Sequence, residues 1–128
     1  MNSKKKIGEI GEDLACSYLI KRGYKILERN YYKELFPYKG EIDIVAKKDK
    51  IICFIEVKTL YLKNKSDFSP EDKVNFKKQK QLINLSQIWL TDHKIPLDSK
   101  WQIDIISVIL DKNYKKAKIK HFKNAIFQ

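Results

Sequence analysis

Two segments in the middle of the chain carry the pattern that most restricts its fold. Residues 41–46 and 51–59 alternate between polar and apolar side chains over much of their length, and residues 47–50 form a short polar break between them. A period of two is typical of strands, because successive side chains point to opposite faces of a sheet. In the first segment, Ile42 and Ile44 would share the face opposite to the acidic residues. The pattern therefore predicts a central antiparallel hairpin.

This hairpin would bring charged side chains together on one face of the sheet. With a two-residue turn at residues 48–49, Asp43 lies opposite Phe54 and diagonally beside Glu56, at a Cβ distance of roughly 7 Å. Lys58 follows on the same face. Charges in mid-strand lower stability unless they are solvated, paired or bound to metal. Two carboxylates at this separation can share a divalent cation, and the alternative is that Glu56 and Lys58 are ordinary residues of a half-exposed sheet.

Helices and further strands are predicted around the hairpin. Residues 7–22 have apolar side chains at helical spacing and stop at Gly23, and residues 73–90 carry a second such stripe. The remaining predicted segments are strands at 24–32 and 101–110, loops at 35–40 and 63–72, and an edge strand or tail at 119–127. The order α-β-β-β-α-β predicts an α/β three-layer sandwich, in which helices flank a mixed central sheet. We expect one domain spanning residues 1–128.

The charge of the chain points to a polyanionic partner. The net charge is +11 over 128 residues, which favours nucleic acid first and an acidic membrane surface second. Arg22 and Arg29 are the only arginines, so all but two of the 27 basic residues are lysines. Lysine contacts phosphate as a point charge, whereas bidentate recognition of guanine uses arginine. We therefore expect contacts to the backbone and shape of DNA.

We expect a soluble, cytoplasmic protein without a membrane partner. No apolar run approaches the length of a transmembrane helix, and acidic residues follow the basic start of the chain where an apolar signal core would lie. Cys16 and Cys53 lie in apolar surroundings, which predicts buried thiols instead of a disulfide. Neither cysteine is spaced with His93 or His121 as in a zinc site.

The motifs of the chain resemble those of a known family. Asp43, followed by Glu56, Val57 and Lys58, forms an Asp…Glu-x-Lys pattern. The other matching motifs are Gly11-Glu12, Gly23-Tyr24, Asn30, Gly40 to Asp43, and Phe54 to Thr59. In this order they resemble the YraN family of bacterial PD-(D/E)XK proteins, which are similar to archaeal Holliday-junction resolvases. The resemblance covers about residues 7–109 and implies a restriction-endonuclease-like fold.

The resemblance also implies roles for individual residues. Asp43, Glu56 and the Val57 carbonyl would bind Mg²⁺ or Mn²⁺ through oxygen, and Lys58 would orient or activate the attacking water. Glu12 matches a helix carboxylate that completes the metal site, although a first-turn acid also suits the helix dipole. The implied activity is that of a metal-dependent endonuclease hydrolysing DNA phosphodiester bonds, on branched or damaged DNA. Resolvase-like relatives are dimers, which suggests a homodimer here.

Four residues near this site are predicted to contact nucleic acid: Tyr38, Lys39, Lys77 and Lys78. For Lys78 the alternative is an ammonium that points to solvent. Tyr31, Tyr32 and Tyr38 could stack on unpaired bases, although tyrosines beside strands more often pack. Because the charge would equally suit a protein that binds without cleaving, the alternative function is a non-catalytic nucleic-acid-binding protein that retains the nuclease fold.

Overall fold

The fold is organised around one five-stranded sheet. The computed structural model describes residues 3–62, 74–111, 113 and 116–126. The elements are α1 (Ser3–Lys21), β1 (Lys25–Leu35), β2 (Tyr38–Lys48), β3 (Ile51–Tyr61), α2 (Phe76–Asp92), β4 (Trp101–Leu110) and β5 (Ala117–Ile126). The strands lie side by side in chain order, and all neighbours are antiparallel except β3 and β4. This confirms the predicted α/β sandwich with its mixed sheet, and β5 is the predicted edge strand.

One helix covers each face of the sheet, because the central strands are apolar on both sides. Leu19 of α1 is fully buried with Ile44 and Ile55 on one face. Leu85 of α2 is fully buried on the other face, beside Phe54. The two thiols, Cys16 and Cys53, are free and buried, as predicted. Neither described helix is long and apolar enough to cross a membrane.

Both predicted helices are confirmed, and local chemistry explains their ends. Helix α1 ends before Gly23, whose φ of 88° is the left-handed conformation that commonly closes a helix. Helix α2 begins after Asn75, whose side chain accepts a hydrogen bond from the backbone N–H of Lys78 at 2.8 Å. The predicted helix start at Lys73 and the predicted loop at 63–72 lie outside the described residues.

The central hairpin forms in a register two residues away from the predicted one. Ile44 pairs with Ile55, so the two-residue turn consists of Asp49 and Lys50, one position later than predicted. Both turn residues have positive φ, of 51° and 68°, as in a type I′ turn, and aspartate is favoured at its first position. A shift of two residues leaves the predicted faces of β3 unchanged. It places Asp43 just beyond the last pair, Ile44 with Ile55, and so next to Glu56.

Strand β2 separates from β3 at Asp43. The pairing of β2 with β3 stops at Ile44, whereas its pairing with β1 continues to the start of β2. Asn30, beside this point on β1, has a φ of 54°. Ile42 belongs to the α2 side of the core and Ile44 to the α1 side. The prediction that these isoleucines share a face was wrong, because the backbone turns where the two strands separate.

The predicted loop at residues 35–40 is mostly strand. Leu35 pairs with Tyr38, so only Phe36 and Pro37 form the turn between β1 and β2. Proline is compatible with a tight turn between strands, which the prediction of a longer loop did not allow for. The result is a two-stranded extension of the sheet, here called the hairpin arm (residues 31–42).

Gly11 allows α1 to approach β3 closely. A Cβ atom at this position would lie 1.8 Å from Oγ1 of Thr59 and 2.8 Å from both its Cβ and its Cγ2. Rotation of the threonine side chain cannot remove all three contacts, because its Cβ is fixed to the strand. A residue larger than glycine would therefore push α1 away from the sheet, together with Glu12, which follows directly.

Gly11→Ala is expected to lower the free energy of unfolding by about 2 kcal/mol. The steric overlap with Thr59 destabilises the fold by more than the higher helix propensity of alanine stabilises it. The matched control is Gly8→Ala on the same helix, where nothing lies within 4 Å of the added Cβ. That variant should be as stable as the wild type or more stable by up to about 1 kcal/mol. Urea unfolding measures both, and equal stabilities of the two variants would contradict the close packing.

Candidate functional site

Four carboxylates converge at the point where β2 leaves β3. Glu12 comes from α1, Glu41 and Asp43 come from β2, and Glu56 comes from β3. One oxygen from each of Glu12, Glu41 and Asp43 lies within 4.8 Å of the others. The Asp43 carboxyl also hydrogen-bonds with Glu56. The structure thus brings together the three acidic residues predicted from the sequence and adds a fourth. These four residues are called the carboxylate cluster below.

Glu56 is the most buried member of the carboxylate cluster, with 7% of its surface exposed. Its Oε2 atom is buried and accepts no hydrogen bond from the described part of the chain. Lys78 Nζ lies 3.4 Å from this oxygen, outside hydrogen-bond geometry. A buried carboxylate oxygen without a hydrogen bond costs free energy. The Lys78 ammonium offsets part of this cost by its charge, and a cation bound between the carboxylates would coordinate the oxygen directly.

Asp43 is held close to Glu56 by the backbone of β3. Its Oδ2 atom accepts a hydrogen bond of 2.8 Å from the N–H of Val57. Burial, with the hydrogen bond to Glu56 and the charge of Glu56, raises the pKa of Asp43 to about 8, although the Val57 N–H and Lys78 oppose this. Asp43 therefore retains its proton at neutral pH in the metal-free protein. A divalent cation would displace that proton, since its charge favours the ionised form of Asp43.

Glu12 is positioned by a side chain from β1. Asn30 Nδ2 lies 2.9 and 3.1 Å from the two carboxylate oxygens of Glu12, and 2.7 Å from Oε1 of Glu41, so one amide group bridges both acids. Arg29 Nη2 is 3.5 Å from Glu12. Burial raises the pKa of Glu12, and the charge of Asp43 adds to this effect while Asn30 opposes it. Glu12 is thus part of the carboxylate cluster, and the alternative of a first-turn acid was wrong, because α1 begins at Ser3 and Glu12 lies in the middle of the helix.

The sequence prediction missed two residues of this arrangement. Glu41 was placed on the acidic face but not among the metal ligands, although its alternation with Asp43 was the available indication. Asn30 matched a family motif, and asparagine is one of the residues that adopts positive φ most readily. Nothing in the sequence indicates that its amide would bridge α1 and β2, because that contact depends on how the layers pack.

Lys58 lies on β3, two residues after Glu56, and is half-buried. Within the described part of the chain its ammonium forms no hydrogen bond or ion pair. Strand alternation places it on the same face as Glu56. It is therefore available to a ligand held at the carboxylate cluster. The observed contact of Val57 is its N–H, and the role of its carbonyl as a metal ligand stays a prediction.

A groove of about 480 Å³ lies between the hairpin arm and the beginning of α2. All four residues predicted to contact nucleic acid line it: Tyr38, Lys39, Lys77 and Lys78. The other lining residues are Pro37, Asn75, Lys80, Gln81 and Asn84. The contact between Lys78 and Glu56 joins this lysine groove to the carboxylate cluster. A polyanion in the groove would therefore pass beside the carboxylates.

The hairpin arm is attached to α2 at both ends of the helix. Gln81 donates a hydrogen bond to the carbonyl of Lys39, and a Cβ at Gly40 would lie 2.5 Å from Nε2 of Gln81. At the far end, the Tyr31 hydroxyl donates to Asp92 at 3.2 Å. Tyr31 is only 8% exposed and belongs to the core on the α2 side, so of the two alternatives for this residue the structure confirms packing.

Asp104 belongs to a separate network between β4 and β5. It is fully buried and accepts hydrogen bonds from Gln102 Nε2 at 2.9 Å and from the backbone N–H of Asn124 at 2.8 Å. His121 Nε2 lies 2.8 Å from its other oxygen. These contacts join β4 to β5, so the geometry indicates a structural role for Asp104.

Comparisons with known proteins identify a single family over most of the chain. The model of the Uncharacterised protein family UPF0102 matches residues 11–108. A UPF0102 protein of Alkaliphilus oremlandii is 44% identical over 124 residues, covering 94% of this chain and 97% of that protein. UPF0102 proteins of Caldicellulosiruptor bescii and Dictyoglomus thermophilum are 37% and 39% identical, covering 94% and 98% of this chain and 97% and 99% of their own lengths. The matched region contains the carboxylate cluster and the lysine groove.

Proposed function

This chain belongs to the family UPF0102, and from that premise we propose that it is a metal-dependent endonuclease that hydrolyses DNA phosphodiester bonds. The observation that carries the proposal is the buried Oε2 atom of Glu56, which lacks a hydrogen bond inside the carboxylate cluster. Buried carboxylate oxygens normally accept hydrogen bonds, whereas this one has only the Lys78 ammonium at 3.4 Å, outside hydrogen-bond geometry, among the described residues. The adjoining lysine groove supplies the positive surface that a phosphodiester substrate requires.

The residues present fit Mg²⁺ or Mn²⁺. Both are hard cations that prefer oxygen ligands, and the carboxylate cluster offers oxygen only. Asp43, Glu56 and Glu12 would hold the ion together with the Val57 carbonyl, and Glu41 is a further available carboxylate. When bound, such an ion polarises the scissile phosphate and lowers the pKa of a coordinated water.

The protein residues perform the remaining tasks. Asn30 keeps Glu12 in place through its bridging amide, which limits the reorganisation needed when charges meet at the site. Lys58 orients the attacking water and offsets the negative charge that develops on the phosphate. Lys78 and the other groove lysines bind the DNA backbone as point charges, which gives little base preference.

The proposal extends to the biological setting. A protein that recognises the DNA backbone without base contacts would select its substrate by shape, which favours branched or damaged DNA. Symmetric cleavage of two strands requires two sites, and a homodimer would provide them. Such an enzyme would act in the cytoplasm, where bacterial DNA is located.

A second function is favoured by one observation. The lysine groove could bind DNA without any contribution from the carboxylate cluster, as a non-catalytic nucleic-acid-binding protein would. Such a protein should show salt-dependent affinity and no requirement for Mg²⁺. A titration of Mg²⁺ at constant ionic strength distinguishes the two functions, because only the nuclease gains activity from the ion.

A cleavage assay tests the proposal directly. Linear duplex, single-stranded, flap and four-way-junction DNA should be compared with Mg²⁺, with Mn²⁺ and with EDTA. We expect metal-dependent cleavage of at least one substrate, and Glu56→Ala should lower the rate by at least about 100-fold. Glu9→Ala, which removes an exposed glutamate of α1, should cleave like the wild type. Absence of cleavage of all four substrates by the wild type would refute the nuclease assignment.

A further inference from the structure

Exposed aromatic side chains lie in the lysine groove or next to the residues that line it. Nine large hydrophobic residues are exposed among the described residues, and five of them lie on or beside the hairpin arm: Tyr32, Leu35, Phe36, Tyr38 and Phe76. Phe36, at the tip of the arm, is 96% exposed. Phe76, which is 70% exposed, is the first residue of α2. Such a concentration around one groove indicates a binding surface.

The chemistry of this surface matches unpaired nucleic acid. Phe36 contributes almost no buried surface to the fold, so its aromatic ring is not explained by core packing. Lysines of the adjoining groove would contact phosphates, while aromatic rings would stack on bases. This combination is typical of grooves that bind single strands, because every unpaired base offers a flat face. Blunt duplex DNA is a poorer match, because its bases are already stacked on one another and their faces are covered. An apolar protein partner is also a poorer match, because its binding would bury the lysine ammonium groups without a counter-charge.

The hairpin arm presents these rings on a fixed support. Gln81 holds the Lys39 carbonyl near the beginning of α2. Lys33 and Tyr31 both contact Asp92 at its end, at 3.0 and 3.2 Å. A ligand that stacks on the tip therefore does not have to order the arm first, which lowers the entropic cost of binding.

We propose that the tip of the hairpin arm and the lysine groove bind an unpaired stretch of DNA, with bases stacked on Phe36 and Tyr38 and phosphates on the groove lysines. This rests on the proposed function and specifies its substrate as DNA in which an unpaired strand leads to the cleavage site. The 3.4 Å contact between Lys78 and Glu56 marks where that strand passes from the groove to the carboxylate cluster.

Binding of the full chain to DNA in EDTA tests this proposal without requiring cleavage. Phe36→Ala should lower the affinity for DNA carrying an unpaired stretch by about tenfold, equivalent to about 1.4 kcal/mol. Its affinity for blunt duplex of equal length should not change. A 2-aminopurine base in the unpaired stretch should lose its protein-dependent fluorescence quenching. The matched control is Phe122→Ala on β5, which removes a 49% exposed phenylalanine that does not line the groove.

The possible results separate the alternatives. Equal losses on both DNAs, or no loss on either, would overturn the proposal. So would a change of oligomeric state in Phe36→Ala during sedimentation, since the tip would then be a contact between two copies of the chain. If the wild type cleaves nothing but Phe36→Ala shows the selective loss, only the nuclease assignment fails. If the wild type cleaves but Phe36→Ala binds normally, only the stacking site fails.

Discussion

Asp43→Asn is expected to abolish cleavage and, in metal-free buffer at about pH 8, to make the protein more stable than the wild type. The wild-type carboxyl is half-buried beside Glu56 and accepts the N–H of Val57. An amide oxygen can accept the same N–H without adding a second negative charge. We expect a gain of about 2 kcal/mol in the free energy of unfolding, or roughly 5–10 °C in Tm.

The direction of this stability change follows from the proton that Asp43 retains in the native protein. The pKa of Asp43 is raised from 3.8 to about 8 in the native protein. Between these values the native state retains a proton that the unfolded chain has released, so the stability of the wild type falls as the pH rises through this window. The variant lacks this titration. The stability difference between the two proteins should therefore shrink towards about pH 4, as chemical unfolding over a pH series would show.

Mg²⁺ should reverse the order of stability. The ion compensates both carboxylates in the wild type, and at about 100 times its Kd it would add about 2.7 kcal/mol to the free energy of unfolding. Asp43→Asn lacks one ligand and should gain much less. Asp104→Asn is the matched control, because Asp104 is fully buried and contacts His121, Gln102 and Asn124. It should be destabilised with and without metal.

Either of two outcomes would contradict the assigned role of Asp43. If Asp43→Asn were less stable than the wild type at about pH 8 in EDTA, its carboxylate would be a structural acceptor and not a group held ready for a cation. Equal Mg²⁺-induced shifts of Tm in both proteins would lead to the same conclusion.

Lys58→Ala is expected to reduce the rate of cleavage by about 100- to 10,000-fold, the range typical of a group that assists proton transfer or stabilises developing charge. Because Lys58 has no ion-pair partner among the described residues, its removal should leave the carboxylate cluster in place. The variant should bind Mg²⁺ as well as the wild type, since it loses a positive charge near the ion. Single-turnover cleavage and calorimetric titration with Mg²⁺ measure the two effects separately.

Lys47→Ala provides the control for loss of charge. Lys47 lies on β2 and is exposed, so this variant changes the net charge equally without affecting the site. It should show a small, salt-dependent change in DNA affinity and an unchanged single-turnover rate. A similar effect of both lysine variants on the rate would assign Lys58 to general electrostatic attraction and not to the chemistry.

The strands that carry the site were predictable because their pattern is local. Alternation placed Glu56 and Lys58 on one face of β3, and a register error of two residues did not change that face, since the side-chain period is also two. The switch of faces between Ile42 and Ile44 was not predictable. It arises where β2 leaves β3 beside Asn30, and neither the separation nor the positive φ is encoded in the pattern of either segment alone.

The sequence by itself determined the chemical groups of this protein: the two helices, the central hairpin, the acids and lysine on its strands, and the lysine-rich charge. These depend on residue type and on spacing within one element. Only the tertiary structure decided which groups meet. The bridge from Asn30 to Glu12 and Glu41, the close approach at Gly11, and the groove between the hairpin arm and α2 all join separate elements. Such contacts depend on packing over long separations in the chain, which periodicity does not record.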